Sequence, residues 1–282
     1  MCSQLFIGYS GWNYPDPPEG GGWLNVFYLD NKTRKLNYYS KIFQTVEMDS
    51  TFYKRFYQNM TKGLFIGLTK ATPTDFKISV KVPVIITHEK RLDMRKKGIE
   101  DLNLFLEKIS PLKFANKLGA IIIQLPPSFT LNETKKLEEF LETLQPLPSI
   151  DANINLAIEF RHHSWNTEGV LEMLRHYNLS TVLTDSPSSV NLDFLSNENN
   201  DTSKKFAVIR LHGRNTLQDH YWYNYLYSKN ELVLWISKIK TIQKKSETIF
   251  VYFNNHYGGK AIVNAFQFKE MIGDKLLTQI EN

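Results

Sequence analysis

Ten polar residues fall at the C-terminal ends of apolar runs: Glu47, Asp49, Lys81, Gln124, Glu159, Arg161, Asp185, Arg210, His212 and Asn254. The runs are VEMDSTFY, SVKVPVIITH, IIIQLPPSF, LAIEFRHHSW, TVLTDSP, VIRLHGR and VYFNNHYGGK. A strand buried on both faces reads as nearly continuous apolar sequence, so charge on it is costly unless paired or used. Polar excess at the same end of every strand is the pattern of a site at one mouth of a parallel sheet or barrel.

Three chemistries fit these residue types. The first is acid–base catalysis. Glu47 and Glu159 lie on the second and fifth expected strands, nearly opposite one another in a barrel, and paired carboxylates can divide acid and base roles. Arg161 and Arg210 nearby would keep both ionised, which suits a base better than an acid. His212 is the alternative proton carrier, since its ordinary pKa is about 6.5, and Asp185 completes the candidate catalytic set.

The second is anion recognition. Arg161, Arg210 and Arg214 offer forked donors and Lys81 a point charge. The segment NHYGGKA opens the last helix, where Gly258 and Gly259 would let backbone N–H groups approach an anion beside Lys260. His88, Gln124, Asn254 and His256 would add polar contacts. Rings would line the rim: HYWYNYLY sets Tyr221, Tyr223, Tyr225 and Tyr227 at period two beside Trp222, with Trp12, Tyr53, Trp165 and Tyr257 elsewhere. Flat faces of this kind suit sugars or unstacked bases.

The third is metal-dependent hydrolysis. Glu47, His88, Glu159, Asp185, His212 and His256 are possible ligands. Lys81, Arg161 and Arg210 on the same face disfavour a dication, and no HExxH motif is present. A divalent metal therefore stays an alternative, with no ligand assigned. GYSGW fails as a nucleophile elbow because Trp12 takes the place of the final glycine.

The elements that must position these residues alternate. Strands are expected at 5–9, 44–49, 75–82, 119–125, 155–161, 180–185, 206–212 and 248–254. Helices are expected at about 32–43, 61–72, 100–118, 132–144, 167–177, 231–245 and 260–272. Asn132 would be an N-cap, and Pro111 should kink its helix or start a second segment. The helix after the sixth strand is weak or missing. Such alternation means parallel strands with crossover helices, and eight units in 282 residues fit a (β/α)8 TIM barrel, one domain over 1–282, ahead of an open doubly wound sheet.

Phase sharpens this reading. Side chains alternate along a strand. Glu47 and Asp49 oppose Val46 and Met48, Glu159 and Arg161 oppose Ile158 and Phe160, and Arg210 and His212 oppose Ile209 and Leu211. In a barrel the strictly apolar phase faces the helices, so the polar phase faces the axis. All ten polar residues are expected there.

With 42% hydrophobic residues the chain can bury a large core. The net charge of +5 permits an anionic partner without requiring one. The one cysteine, Cys2, excludes an intramolecular disulfide. No apolar run approaches membrane-spanning length and the first residues do not read as a signal peptide, so a cytoplasmic location and no membrane contact are expected. The oligomeric state is not legible.

The strings IGYSGWNY, VEMDSTFY, ISVKVPVIITH, IIIQLPPSF, AIEFRHHSW, DSP, RLHGR and YFNNHYGGKA together resemble the YecE-like family, domain of unknown function 72. The resemblance runs from residue 7 to about 261. It implies a TIM barrel with fold-level similarity to endonuclease IV and xylose isomerase, and it supplies no chemistry. A tight Trp-Tyr-Pro connection of the family is expanded here into DPPEGGGWLNVFYLD, so the resemblance carries nothing over to the loop 13–31, whose role is not legible. The expectation is a barrel acting by acid–base chemistry on a phosphate-bearing substrate, nucleic acid or sugar phosphate. The alternatives are a non-catalytic barrel that binds nucleic acid or a metabolite, and an endonuclease IV-like metal hydrolase.

Overall fold

The apolar runs become eight parallel strands: β1 (Gln4–Ser10), β2 (Thr45–Met48), β3 (Lys77–Lys81), β4 (Leu118–Gln124), β5 (Asn155–Glu159), β6 (Ser180–Asp185), β7 (Phe206–Leu211) and β8 (Thr248–Phe253). Each pairs with the next, and β8 pairs with β1 from Gln4↔Thr248 to Tyr9↔Phe253, which closes the barrel. The computed structural model describes residues 3–144, 147, 154–187, 193–202, 205–216 and 223–273. Tyr221, Trp222, His220 and Cys2 lie outside the described residues.

The connecting helices are α1 (Lys35–Ile42), α2 (Lys54–Tyr57), α3 (Lys62–Ala71), α4 (Gly98–Phe114), α5 (Thr134–Leu144), α6 (Glu168–His176), α7 (Lys229–Ile242) and α8 (Lys260–Met271). Between β6 and β7 the described residues form only two 3-10 turns, Asp193–Ser196 and Glu198–Asn200. Among the described residues no helix is long and apolar enough to cross a membrane.

Two local expectations are corrected. Helix α4 runs through Pro111 without a second start. Pro111 lies in its last turn, so only one interior hydrogen bond is lost, and buried Ile109 and Leu112 hold the turn against the barrel. Asn132 does not cap α5; it sits inside a 3-10 turn, Leu131–Glu133, that leads into the helix. Helix α7 begins on a capping box instead of an apolar run: Ser228 accepts from the Glu231 N–H and Glu231 accepts from the Ser228 N–H.

The barrel interior is layered by chemistry. Phe6, Ala120, Ile122, Ala157, Val182, Phe206, Val208 and Phe250 fill its lower and middle part, with Phe6 stacked on Phe250 at 5.2 Å. Above them the buried Tyr252 hydroxyl meets Ser79 Oγ at 2.6 Å and Thr45 Oγ1 at 3.0 Å. The charged layer comes next, toward the C-terminal mouth. A buried hydroxyl or charge without a partner costs on the order of several kcal/mol, so this layer must be internally paired.

Candidate functional site at the C-terminal mouth

Arg210 is the hub of the charged layer. Its Nε and Nη2 donate to Glu47 Oε2 and Oε1, each at 2.8 Å, and its Nη1 donates to Glu159 Oε2 at 2.5 Å. Glu47 also accepts from Ser10 Oγ at 3.0 Å. The second Glu159 oxygen forms an ion pair with Arg161 Nη2 and lies 3.4 Å from His212 Nε2. All of Glu47, Glu159, Arg210 and His212 are buried. Burial opposes the Glu159 charge, yet the Arg161 and Arg210 guanidinia and the His212 hydrogen bond hold its carboxyl well below the usual range.

His212 is neutral at physiological pH. Burial, then the charges of Arg161 and Arg210, push its pKa down to about 3. Asn254 Nδ2 lies 2.9 Å from His212 Nδ1, and on the other side of the ring Nε2 lies 3.3 Å from Arg161 Nη2 and 3.4 Å from Glu159 Oε1. The axial placement expected for Glu47, Glu159, Arg210 and His212 is what the barrel has. They form the floor of the mouth, with both carboxylates committed to guanidinium.

Above that floor opens a pocket of about 180 Å3. Asp49, Lys81, Gln124, Arg161 and Arg210 supply its polar wall, with Asn254 and His256. Phe52, Tyr53 and Tyr223 supply rings. A concavity of about 470 Å3 exists at the opposite, N-terminal end, lined by Gln4, Gln44, Asp75, Lys77 and neighbours. It is the larger of the two but lacks a comparable set of convergent charges, and barrel chemistry sits at the C-terminal end.

Asp49 is the carboxylate that faces the pocket. It is half-buried and begins a 3-10 turn, Asp49–Thr51, just past β2. Burial and then the Glu47 charge raise its pKa to about 6, against the pull of Lys81 and Arg210. Sequence reasoning put Asp49 on the axis but assigned it no role, although its position beyond the strand end was a readable sign of greater access. Gln124 Oε1 accepts from Lys81 Nζ at 2.8 Å and from Arg161 Nη2 and Arg210 Nη1 at 3.4 Å. Burial, then Arg210, lowers Lys81 to about 8. Arg161 Nε is buried with no hydrogen-bond partner among the described residues.

His256 is clamped between rings, 4.8 Å from Tyr14 and 5.2 Å from Tyr223, both stacked. Burial lowers its pKa to about 4. His88 lies further out; its Nδ1 is 2.8 Å from Thr87 Oγ1 and its ring meets the Phe52 edge at 5.0 Å. Burial, then Lys81, lowers it to about 4.

Several expected placements fail on geometry. Asp185 is not axial: it lies on the opposite phase of β6, where Trp235 Nε1 donates to it at 2.7 Å and Arg214 grips it through Nε at 2.7 Å and Nη2 at 2.8 Å. Arg214 also donates to Glu231 at 3.0 Å, so it braces α7 and does not line the pocket. Trp165 is core, stacked on Phe160 at 4.9 Å with its Nε1 donating to Phe129 O at 2.8 Å. The glycine turn is not an open anion nest, because the Gly258 N–H donates to Gly21 O and the Gly259 N–H to His256 O, each at 3.2 Å. Lys260 Nζ is held by Asn224 Oδ1 at 2.5 Å, outside the pocket lining. Of the described tyrosines in the period-two run, only Tyr223 faces the pocket; Tyr225 donates to Glu231 and Tyr227 is buried.

The expanded loop is a fixed wall. Trp23 is fully buried at 0% exposure, packs 4.3 Å from Tyr14, and donates its Nε1 to His256 O at 2.8 Å. Gly21 (φ +83°) and Gly259 (φ +77°) carry left-handed backbone, and an added Cβ at either would lie 2.8 Å from Tyr257 or Val26 respectively. Trp23→Phe keeps most of the packing but removes one of the two donors to the His256 carbonyl, leaving the Gly259 N–H. It is expected to cost about 0.5–1.5 kcal/mol in urea denaturation.

A metal fits this donor set poorly. Among the described residues no group of three or more His, Cys, Asp or Glu is placed to hold an ion, since Arg210 occupies both floor carboxylates.

A family model described as "Protein of unknown function DUF72" matches residues 6–281. The chain belongs to that family. UPF0759 protein YunF of Bacillus subtilis (strain 168) is 28% identical to this DUF72 chain over 95% of each protein. A DUF72 family protein from Thermotoga maritima MSB8 is 30% identical, with a TM-score of 0.77 over 96% of this chain and 100% of that one. Another, from Enterococcus faecalis V583, is 21% identical, with a TM-score of 0.71 over 96% and 98%. The two solved structures share the fold of this chain, and none of the three descriptions names a reaction.

Proposed function

We propose that this DUF72 barrel is an acid–base enzyme acting on a small phosphate-bearing substrate of sugar-phosphate size. The observation that carries the reading is the wall of the pocket: Lys81, Arg161 and Arg210 converge there with a single carboxylate, Asp49. Glu47 and Glu159 lie beneath and hold the two guanidinia in place. An anion at the wall meets preset donors, with no reorganisation needed on binding.

Asp49 is the proton carrier in this reading. A carboxyl at about 6 is near neutral pH and faces the ligand space, the two properties that general acid–base catalysis needs. The floor carboxylates lack access, and His212 at about 3 holds its proton too weakly to shuttle it. Phe52, Tyr53 and Tyr223 give flat faces for a sugar ring.

Volume favours a sugar phosphate over nucleic acid. A pocket of about 180 Å3 lies below the ~300 Å3 at which sites for drug-sized ligands begin. The test is a thermal-shift panel of sugar phosphates, neutral sugars, inorganic phosphate and short oligonucleotides. Sugar phosphates should stabilise the protein selectively, and Arg161→Met should lose that shift. Equal stabilisation by neutral sugars, or an unchanged shift in Arg161→Met, would overturn the reading.

A further inference from the structure

Lys81 is the cation of the pocket that has no carboxylate of its own. Arg210 is shared by Glu47 and Glu159, and Arg161 has Glu159. Lys81 instead places Nζ 2.8 Å from Gln124 Oε1 and 4.1 Å from the Phe52 ring centroid. Only 5% of the residue is exposed, yet it lines the pocket. Its backbone is pinned as well: the Lys81 N–H donates to Thr51 Oγ1 at 3.0 Å, and that hydroxyl lies 2.8 Å from Lys81 O. A flexible side chain is thus held by its root and laid along an aromatic face.

An ammonium meant only to neutralise phosphate has no need of this environment. A desolvated lysine beside other cations is the arrangement that activates an amine as a nucleophile. We infer that Lys81 is a carbonyl-capturing amine, and that the substrate of this pocket carries an aldehyde or ketone beside its anionic group. The inference rests on the reading of the pocket as a small-anion site.

The step balances without any further reagent. Asp49 takes a proton from the Lys81 ammonium. The freed Nζ pair forms a C–N bond to the carbonyl carbon, the C=O π pair moves to oxygen, and that oxygen takes one of the two protons left on the now cationic Nζ, giving a neutral carbinolamine. Loss of that hydroxyl as water, with Asp49 returning its proton, leaves a protonated imine. The neighbour is well placed: β2 and β3 pair at Met48↔Val80, Lys81 is the next residue of β3, and Asp49 is the first residue past β2.

The groups facing Lys81 set its pH behaviour. Arg210 and Arg161 disfavour the ammonium, while Glu47 and Glu159 favour it. Asp49 and His88 also act on it. Capture should therefore rise with pH and level off above about 8.

The experiment is borohydride trapping on the full chain with dihydroxyacetone phosphate and with glyceraldehyde 3-phosphate. Glycerol 3-phosphate, which lacks the carbonyl, serves as control and as competitor. The expected result is a reduced secondary-amine adduct on the peptide bearing Lys81, suppressed by glycerol 3-phosphate and absent from Lys81→Arg. Lys81→Met, which removes a buried charge without adding bulk, gives a second variant should the arginine fold poorly. An adduct spread equally over other lysines, or none at Lys81, would overturn the inference. Thermal stabilisation by glycerol 3-phosphate without any adduct would leave the anion site standing and remove only the role of Lys81. Neither stabilisation nor adduct would remove both.

Discussion

Arg210→Met is expected to destabilise the protein by at least about 3–5 kcal/mol, the usual cost of breaking a buried ion pair from one side. The reason is the pair of carboxylates it leaves behind. Glu47 and Glu159 are both fully buried, and Arg210 makes three hydrogen bonds to them. Methionine would fill much of the volume and satisfy neither acid. Glu159 would keep only its pair with Arg161 and its contact with His212, and Glu47 only the Ser10 hydroxyl. Urea denaturation of the variant beside the wild type at pH 7 reads the loss directly. Adding Glu47→Gln and Glu159→Gln to Arg210→Met should recover much of the loss at pH 7. A single variant that unfolds with the wild type at pH 7 would mean that the floor is not held by Arg210.

Asp49→Asn is expected to move activity and stability in opposite directions. Removal of a general acid–base group typically costs about 10²–10⁴-fold in turnover, and binding of the anion should survive because Lys81, Arg161 and Arg210 are untouched. For stability the sign runs the other way. The folded Asp49 titrates at about 6, above its ordinary 3.8, so its contribution is greatest below the ordinary value and is lost as pH rises to about 6. At pH 7 the ionised group is a burden that asparagine removes. The rise from 3.8 to about 6 corresponds to at most about 3 kcal/mol, and because Asp49 is half-buried, screening reduces this to about 1–2 kcal/mol. Thermal melts at pH 7 should show the variant more stable than wild type, and melts near pH 4 should show the advantage gone.

The fold was legible because every strand is buried on both faces, which writes a long apolar run into the sequence. Phase was legible where one face was strictly apolar, as at Val46 and Met48 or Ile209 and Leu211. It failed on β6, where Ser180, Thr181, Thr184 and Asp185 put polar atoms in both phases. Thr184 takes the axial phase and Asp185 turns outward to Trp235. The glycine turn misled for a different reason. Gly258 and Gly259 read as freeing donors for an anion, but the path of the loop 13–31 brings the Gly21 carbonyl onto the Gly258 N–H, and the Gly259 N–H turns back to His256 O. Trp165 shows the same limit, since a ring at a strand end reads alike whether it faces a ligand or Phe129 and Phe160. Depth along the axis is also invisible in a strand: Glu47 and Asp49 share a phase, and only packing separates the buried partner of Arg210 from the half-buried wall of the pocket.

The most direct test of proton transfer at this mouth is deuterium wash-in followed by proton NMR. The sugar phosphate that best stabilises the protein is incubated with wild type and with Asp49→Asn in heavy water. Wild type should exchange a carbon-bound hydrogen of the ligand, and Asp49→Asn should bind the ligand with unchanged affinity and exchange it hardly at all. Exchange at the wild-type rate in Asp49→Asn, or a tightly bound ligand that wild type never exchanges, would contradict the assignment of acid–base chemistry to this pocket.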